Sequence, residues 1–295
     1  MSIGVIGAGK WGSALAFALS EKNDVYIYSR NKRDREDFVS LEEILQCEYL
    51  IITVPAQAVS SWLEESFVFN GQKILVASKG IEASTGRFLN EIYKEYVPDE
   101  NIAFLSGPSF ATEVMQSLPT ALVVNSTNLS LADDLAELFP SFIKTYTSED
   151  VVGAEIAGAY KNVIAIAAGI VSGLKLGNNA AAALISRGLV EMQRFGAFYG
   201  AQTESFIGLS GAGDLFLTAS STMSRNFRVG LGIAEGKNQE EILASLGEVA
   251  EGIGTTYALY EIAQQHNLYL PIAKEVYAML EGKNPQKSLK DLLTK

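Results

Sequence analysis

Hydrophobic positions follow two different patterns along this chain. Up to about residue 150, short continuous apolar runs alternate with stretches whose apolar residues recur at helical spacing. The runs predict buried strands at residues 3–6, 25–29, 49–54, 73–77, 102–105 and 121–124. Beyond that point only helical spacing remains, and the predicted helices are 151–176, 179–199, 223–235, 239–245, 255–267, 271–281 and 285–293. The pattern predicts an α/β fold with a doubly wound sheet over residues 1–150 and an all-α C-terminal domain over 151–295.

Composition narrows the class of protein. A chain of 295 residues suits two domains, and 48% hydrophobic with 19% charged residues is typical of a folded globular protein. The net charge of −11 argues against general nucleic-acid or acidic-membrane partners. The stretch 151–176 is apolar but holds three charged residues, which favours a buried helix over membrane insertion. One cysteine, Cys47, excludes an intrachain disulfide and suggests a reducing, cytoplasmic compartment.

The first predicted strand ends in a glycine motif. Gly7, Gly9 and Gly12 follow residues 3–6 in the spacing G-x-G-x-x-G, and helical spacing begins directly after them. In a Rossmann unit these glycines allow a tight turn, close approach of a pyrophosphate, and close packing of helix on strand. The motif therefore predicts an N-terminal Rossmann-type, dinucleotide-binding domain. A plain βα turn that binds no nucleotide remains the alternative.

The end of the second predicted strand bears on which dinucleotide is bound. NAD-selective sites carry an acid about 20 residues after the glycines, where it bonds the ribose 2′-hydroxyl. Here residues 29–33 read Ser-Arg-Asn-Lys-Arg, and the first carboxylate is Asp34. Arg30 and Arg33 are suited to a 2′-phosphate, which favours NADP over NAD. A solvated basic loop explains the same residues equally well.

Polar side chains follow two further predicted strands. Lys79 comes just after residues 73–77, and Ser109 lies in the segment Ser-Gly-Pro-Ser-Phe-Ala that follows residues 102–105. Ligands of doubly wound sheets bind outside the carboxyl ends of the strands. Both residues are therefore candidates for a site.

Lysine is the best candidate proton donor. The single histidine, His266, lies in a polar helix end and is interpreted as a surface residue. A catalytic metal is not predicted, because nitrogen and sulfur ligands are nearly absent. Lys161 lies within an apolar helical stretch, where burial lowers a lysine pKa towards the range useful for acid–base exchange. A snorkelling lysine whose ammonium reaches water is the alternative.

Two later clusters have side chains that can bind a charged group, an amine in the first and a phosphate in the second. Asp214 follows the glycine-rich segment 208–213, where it is placed to hold a lysine in position. Ser224 precedes a predicted helix as its N-cap, with Arg225 and Asn226 in the first turn. A helix start with a guanidinium and an amide makes a phosphate pocket, although an ordinary capped helix is the more common explanation.

Taken together and in order, these segments resemble the bacterial NAD(P)-dependent glycerol-3-phosphate dehydrogenases over nearly the whole chain. The segments that carry the resemblance are the glycine motif ending in Trp11-Gly12, Ser78-Lys79-Gly80, 107–111, Lys161-Asn162, 211–214, 224–226 and 249–252. The resemblance implies reversible reduction of dihydroxyacetone phosphate to sn-glycerol 3-phosphate, the precursor of the phospholipid backbone. It implies that Lys161 exchanges the proton, that Asp214 orients the Lys161 ammonium, and that Arg225 and the start of its helix bind the phosphate.

The resemblance also implies the remaining site residues. The substrate-binding set is Lys79, Gly107, Ser109, Lys161, Asp214, Ser224, Arg225 and Asn226. With the glycine motif and Arg33 added, the cofactor-binding set is Gly7, Gly9, Lys10, Trp11, Gly12, Arg30, Arg33, Lys79, Ala111, Arg225, Val249 and Glu251. The expected cofactor is NADPH, with NADH as a second choice. No metal is expected.

Three features depart from the family pattern. Residues 33–45 replace a longer, proline-containing loop, Lys10 stands where a small hydroxyl residue is usual, and Ala212 replaces a leucine. Two other classes of protein stay open: a Rossmann dehydrogenase acting on hydroxy acids or sugar acids, and a non-catalytic NADP-binding regulator. A homodimer is one assembly state that the sequence leaves open.

Overall fold

The computed structural model describes residues 2–247 and 250–294. By its internal contacts the chain divides into two compact units. Unit 1 comprises 1–79 and 89–155, and unit 2 comprises 80–88 and 156–295. The predicted boundary at 150 did not include the excursion of 80–88 into unit 2. That excursion is a short antiparallel bridge between Ile81 and Phe88, with the Phe88 ring against Phe195 and Tyr199.

Unit 1 is built on one seven-stranded sheet in the order β2-β1-β3-β4-β5-β6-β7. Its strands are β1 (Ser2–Ile6), β2 (Asp24–Tyr28), β3 (Tyr49–Ile52), β4 (Lys73–Val76), β5 (Ile102–Ser106), β6 (Thr120–Asn125) and β7 (Ile143–Ser148). Two hydrophobic clusters cover the sheet, and successive residues of a strand belong to different clusters. In β3, Ile51 belongs to one cluster, and Leu50 and Ile52 belong to the other. The sheet is therefore covered on both faces, as the continuous apolar runs predict.

The far edge of the sheet reverses direction. Strands β1 to β5 pair in parallel, β6 pairs with β5 antiparallel, and β7 pairs with β6 in parallel. Strand β7 was not predicted. It is an edge strand in which only Ile143 is buried, so it lacks the apolar run by which the other strands are recognised.

The helices of unit 1 are short. They are α1 (Lys10–Leu19), α2 (Leu41–Ile44), α3 (Val59–Ser66), α4 (Leu89–Tyr93), α5 (Ala111–Val114) and α6 (Leu129–Ala136). Helix α1 follows the glycine motif, as predicted. Its buried residues are Gly12, Ala14, Leu15, Ala16, Ala18 and Leu19.

Helices make up most of unit 2, which confirms the predicted fold class. They are α7 (Val151–Gly173, which begins in unit 1), α8 (Asn178–Phe198), α9 (Thr203–Ile207), α10 (Asp214–Ala219), α11 (Arg225–Ala234), α12 (Gln239–Leu246), α13 (Glu251–His266), α14 (Pro271–Leu280) and α15 (Pro285–Thr294). Helices α9 and α10 were not predicted, since each is shorter than two turns.

Helix α7 is the central element of unit 2. Its length and composition would allow it to cross a membrane, but 83% of its most apolar window is buried inside the protein. It packs against α11 with the two backbones in contact: a Cβ on Gly169 would lie 2.0 Å from the Phe227 carbonyl oxygen. A Cβ on Gly230 would likewise lie 2.0 Å from the Ile166 carbonyl oxygen. These two glycines fix the crossing of the helices that carry Lys161 and Arg225.

Candidate active site

The glycine motif of unit 1 folds as a tight turn between β1 and α1. Gly7 has φ +115°, a conformation that favours glycine, and its N–H donates to the Tyr28 carbonyl at 2.7 Å. Gly12 lies directly over this turn, where an added Cβ would meet the Gly7 carbonyl oxygen at 1.8 Å. Thr53 closes the turn from β3, donating to the Ile6 and Gly7 carbonyls at 3.1 Å each. The predicted turn and close packing are confirmed.

The start of α1 faces open space. Gly9 is the N-cap, and an added Cβ there would meet no atom within 4 Å. Within the described part of the chain, no side chain caps this helix by a hydrogen bond. Trp11, in the first turn, donates from Nε1 to the Ala77 carbonyl at 3.2 Å and so fixes the helix against the end of β4. Uncapped N–H groups at the positive end of a helix form an anion site.

The loop after β2 is short and folds back on that strand. Ile27 accepts from the Val39 N–H, and its own N–H donates to the Asp37 carbonyl at 2.8 Å. Arg30 and Arg33 both lie exposed in the intervening segment. Arg35, which the sequence interpretation did not include, forms a bidentate pair with Asp37. The Arg35 Nη1 also lies 3.4 Å from Ser13 Oγ on α1.

The strand-end residues of unit 1 meet at one carbonyl. Lys79 Nζ donates to the Gly107 oxygen at 3.3 Å, and Ser109 Oγ lies 3.4 Å from the same oxygen. Ser78 is held by a hydrogen bond from its Oγ to the Val54 carbonyl. Lys79, Gly107 and Ser109 are therefore adjacent, after the ends of β4 and β5 where Lys79 and Ser109 were predicted to lie. Ala111 begins α5, which packs against α1.

A buried ion pair forms the centre of the unit 2 site. Lys161, on α7, is 8% exposed, and Asp214 is 1% exposed. Lys161 Nζ lies 2.5 Å from Asp214 Oδ1 and 3.3 Å from Thr218 Oγ1. The snorkelling alternative for Lys161 is excluded in this structure, and Asp214 holds the lysine as predicted. Loss of either partner of such a buried pair lowers the stability of the fold strongly, because the other charge stays buried without a partner.

Thr218 is a functional candidate that the sequence interpretation missed. It lies one turn after Asp214 on α10, and its Oγ1 is 3.3 Å from both Asp214 Oδ1 and Lys161 Nζ. The available signal was the i, i+4 spacing from an acid, which requires α10 to be recognised as a helix. Most of the preceding glycine-rich segment 208–213 is also helical, since Leu209–Gly213 forms a π-helical turn that leads directly into α10.

The start of α11 matches its predicted capping. Ser224 is the N-cap, and its Oγ accepts from the Phe227 N–H at 3.2 Å. Arg225, the first helical residue, is exposed, whereas Asn226 is buried. A helix start with an exposed guanidinium has the chemistry of a phosphate site.

The Asn226 amide connects three helices. Its Nδ2 donates to Asn162 Oδ1 at 2.9 Å, and its Oδ1 accepts from the Gly252 N–H at 3.0 Å. Asn162 is next to Lys161 on α7, and Gly252 follows Glu251 at the start of α13. The amide pair thus aligns the starts of α11 and α13 with the lysine helix. Val249, another expected cofactor residue, lies outside the described residues.

A second buried carboxylate, on Glu191, was also missed. Glu191 Oε1 accepts from Tyr160 Oη at 2.8 Å and from the Ala273 N–H at 2.9 Å, while Oε2 accepts from the Ile272 N–H at 2.9 Å. Burial raises the pKa of Glu191, and the two backbone donors of α14 oppose that rise. The carboxylate caps α14 and joins it to α7.

The remaining chemical groups lie apart from these clusters. His266 is exposed at the end of α13, with its ring 4.9 Å from that of Phe198. Cys47 is buried, which raises the pKa of its thiol. Among the described residues, no group of three or more His, Cys, Asp and Glu side chains is arranged to hold a metal ion.

Comparison with known proteins identifies the family. Residues 150–290 match the model of the NAD-dependent glycerol-3-phosphate dehydrogenase C-terminus, and residues 2–44 and 36–132 match the model of the N-terminus. The chain belongs to this family. The resemblance inferred from its motifs is confirmed, and the chain is an oxidoreductase of the NAD(P)-dependent glycerol-3-phosphate dehydrogenase family.

Individual relatives match over their full length. The glycerol-3-phosphate dehydrogenase [NAD(P)+] of Sulfurimonas denitrificans is 74% identical, with 99% of each chain covered. That of Nitratiruptor sp. is 61% identical over 99% of this chain and 98% of its own. The solved glycerol-3-phosphate dehydrogenase of Coxiella burnetii is 33% identical, with a TM-score of 0.90, over 100% of this chain and 99% of its own. The chain is therefore similar to members of this family in both sequence and fold.

Proposed function

We propose that this chain interconverts dihydroxyacetone phosphate and sn-glycerol 3-phosphate with NAD(P)H, and that Lys161 is the proton donor and acceptor. One observation carries the assignment of Lys161: its ammonium lies in a buried cluster 2.5 Å from the Asp214 carboxylate. A lysine held in one orientation inside a helical unit is suited to proton transfer at a fixed position. The single histidine is exposed and lies outside this cluster.

The turn of unit 1 fits a dinucleotide. Gly9 leaves open space where a pyrophosphate must approach, and the start of α1 presents uncapped N–H groups toward it. Gly12 tightens the turn beneath, and Trp11 fixes the helix in position. We assign these residues, with Gly7 and Lys10, to the phosphates of the cofactor, and Ala111 and Glu251 to its other contacts.

The protein's own groups supply the proton and the orientation of the substrate. When bound, the nicotinamide supplies the hydride. Lys161 donates its proton to the oxygen that becomes the alcohol as the carbonyl carbon accepts hydride, and it takes the proton back in the oxidative direction. Asp214 and Thr218 keep the Lys161 ammonium in one orientation. The cluster thereby stabilises charge that develops at the substrate oxygen.

The non-reacting phosphate of the substrate is assigned to the start of α11. Arg225 contributes a guanidinium, and Ser224 caps the start of the helix there. Binding energy from this remote group aligns the reacting carbonyl. Asn226 acts through the amide bonds that hold its helix to α7 and α13. Lys79, Gly107 and Ser109 are the proposed substrate contacts of unit 1.

Four further properties belong to the same proposal. Arg30 and Arg33 are exposed after β2, which supports use of NADPH in preference to NADH. The product supplies glycerophospholipid synthesis. The reaction takes place in the cytoplasm, and the working form is a homodimer.

One assay separates this function from its rivals. The oxidation of NADPH and NADH is followed with dihydroxyacetone phosphate, with unphosphorylated dihydroxyacetone, and with a panel of 2-oxo acids. We expect turnover with the phosphorylated ketone, faster with NADPH, and very little with the other substrates. Preferential turnover of a 2-oxo acid would favour a hydroxy-acid dehydrogenase. Cofactor binding without turnover would favour a regulator.

A further inference from the structure

Unit 2 contains a cavity separate from all the residues assigned to the reaction. It has a volume of about 730 Å³ and lies among α7, α8, α13, α14 and α15. Small-molecule sites commonly have volumes of about 300–1,000 Å³. Its lining extends from Val171 to Leu292 and includes none of the proposed catalytic, substrate or cofactor residues. The dehydrogenase reaction therefore gives no reason for this cavity.

Aliphatic side chains form most of the wall. They come from all five helices and the loop before α14, and include Val171, Leu184, Val190, Leu259, Leu268 and Leu289. Val190 is 43% exposed, so part of this apolar surface is in contact with solvent. Two tyrosine rings, of Tyr260 and Tyr269, also line the cavity. A wall of this composition binds an aliphatic or aromatic group through burial of its surface.

The acids in the wall all have partners within the protein. Glu191 accepts three hydrogen bonds, from the Tyr160 hydroxyl and the N–H groups that start α14. Glu275 and Asp291 share Lys283, with Nζ–O distances of 2.5 and 2.7 Å. None of these three carboxylates requires a cation from a ligand.

The cations in the wall are less fully compensated. Arg194 donates to the Tyr269 carbonyl at 2.8 Å and lies over the Tyr269 ring. Arg187 and Lys274 are exposed, and within the described residues their side chains form no ion pair or hydrogen bond. The apolar cavity therefore has two cations in its wall without a charged partner among the described residues, in a protein of net charge −11.

We propose that this cavity binds an amphipathic anion, a molecule with one carboxylate or phosphate group and a single aliphatic chain. The anionic group lies at Arg187 and Lys274, and the chain lies against the leucine and valine side chains. The volume of about 730 Å³ favours this occupant over a second copy of the same chain, because it is in the range of small-molecule sites.

Calorimetry with four probes tests the proposal. Decanoate and decyl phosphate are titrated into the protein below their micellar concentrations, alongside decyl glucoside as a neutral molecule with the same chain and inorganic phosphate as a head group alone. We expect both amphipathic anions to bind at least tenfold more tightly than the glucoside or the phosphate. Equal affinity for decanoate and decyl glucoside would overturn the proposal. Saturating NADPH and dihydroxyacetone phosphate must leave the binding intact, since displacement by either would place the anion at the catalytic residues.

Variants locate the bound anion. The double variant Arg187→Gln/Lys274→Gln changes only exposed side chains and should weaken decanoate binding at least fivefold. Lys237→Gln is the matched control, because Lys237 is an exposed lysine outside the cavity lining. The Lys237→Gln variant should bind decanoate with the same affinity as the parent. Unchanged affinity in the double variant would contradict the assignment. Sedimentation velocity tests whether the cavity is instead occupied by a second copy of the chain. If the parent is a dimer that does not bind decanoate, and the double variant is a monomer, the cavity faces a second copy and the proposal is wrong.

Discussion

The turn that ends β1 and the lysine cluster of α7 are constructed in opposite ways. The turn depends on the absence of side chains: a Cβ on Gly12 would collide with the carbonyl of Gly7, five residues earlier, and a Cβ on Gly7 would collide with Thr53. The cluster is made of side chains: Lys161 meets Asp214 and Thr218, more than 50 residues away in sequence. A turn of this kind is specified locally, whereas the cluster depends on the whole helical unit.

The two regions should therefore fail differently. A change in the turn alters the fold or the approach of a ligand to the backbone. A change in the cluster removes chemistry at one atom, and it lowers stability where it leaves one charge of the buried pair without its partner. Five experiments with substituted variants extend this comparison.

The largest effect is expected from removing the proton donor. Lys161→Ala should lower kcat about 10²- to 10⁴-fold, the usual contribution of a positioned acid or base. Steady-state assays with dihydroxyacetone phosphate measure the loss, and fluorescence titration with NADPH should show that cofactor binding survives. Lys161→Arg is the control, because it retains the charge but releases its proton poorly. Near-normal turnover in either variant would contradict the assignment.

Gly12→Ala and Gly9→Ala form a matched pair in the turn. A Cβ at Gly12 would lie 1.8 Å from the Gly7 carbonyl oxygen, so we expect about 3 kcal/mol or more of lost stability. A Cβ at Gly9 meets no protein atom within 4 Å, so that variant should unfold at the parent's urea concentration. It should nevertheless bind NADPH more weakly, because the methyl group occupies the approach of the pyrophosphate. Equal stability in the two variants would show that the turn is looser than described.

The same distinction explains what could be predicted from sequence. The glycine turn, α1 and the capping role of Ser224 were predictable because each has a recognisable pattern of residues within a few positions. The pairing of Lys161 with Asp214 was anticipated from chemistry, but Thr218 was not, because α10 is too short for a periodic signal. Strand β7 lacks an apolar run, and Glu191 is an acid in the middle of α8, so its burial and its bonds to α14 depend on tertiary packing alone.

Glu155, a half-buried residue with a buried carboxyl oxygen at the end of unit 1, should make stability depend on pH. Burial raises the pKa of Glu155 to about 8, from 4.5, against the opposing hydrogen bond from the Asn90 N–H. The folded state then binds a proton that the unfolded state releases. Stability from this group is present below pH 4.5 and is lost as pH rises towards 8, by about 1.4 kcal/mol for each pH unit between these values.

Urea unfolding between pH 5 and 9 measures this effect. Glu155→Gln retains the shape of the neutral acid and should remove the fall in stability that the parent shows with rising pH. Glu64→Gln, an exposed acid on α3, is the control and should follow the parent at every pH. A parent and a Glu155→Gln variant with parallel pH profiles would show that Glu155 stays ionised in the fold.

The phosphate contact tests whether unit 2 also recognises the non-reacting end of the substrate. A hydrogen bond between charged groups contributes about 1.5–3 kcal/mol. Arg225→Ala should therefore lower kcat/KM for dihydroxyacetone phosphate about 10- to 100-fold. Unphosphorylated dihydroxyacetone, a very poor substrate, should be little affected. NADPH affinity is measured separately, because Arg225 is also an expected cofactor contact. Equal proportional losses on the two ketones, after that correction, would remove Arg225 from the phosphate site.

The smallest effect concerns the loop after β2, the part of unit 1 that departs most from the family pattern. Its side chains are exposed, so an interaction with a 2′-phosphate is weakened by solvent, and we expect Arg30→Ala to reduce the preference for NADPH over NADH by about tenfold. The ratio of kcat/KM values for the two cofactors is the measurement. Lys32→Ala, exposed in the same loop, should leave the ratio nearly unchanged. The loss should also diminish at high ionic strength, because a contact between exposed charges is screened. If Arg30→Ala weakens NADPH and NADH equally, the arginine does not contact the 2′-phosphate, and Arg33 or Arg35 becomes the residue to test.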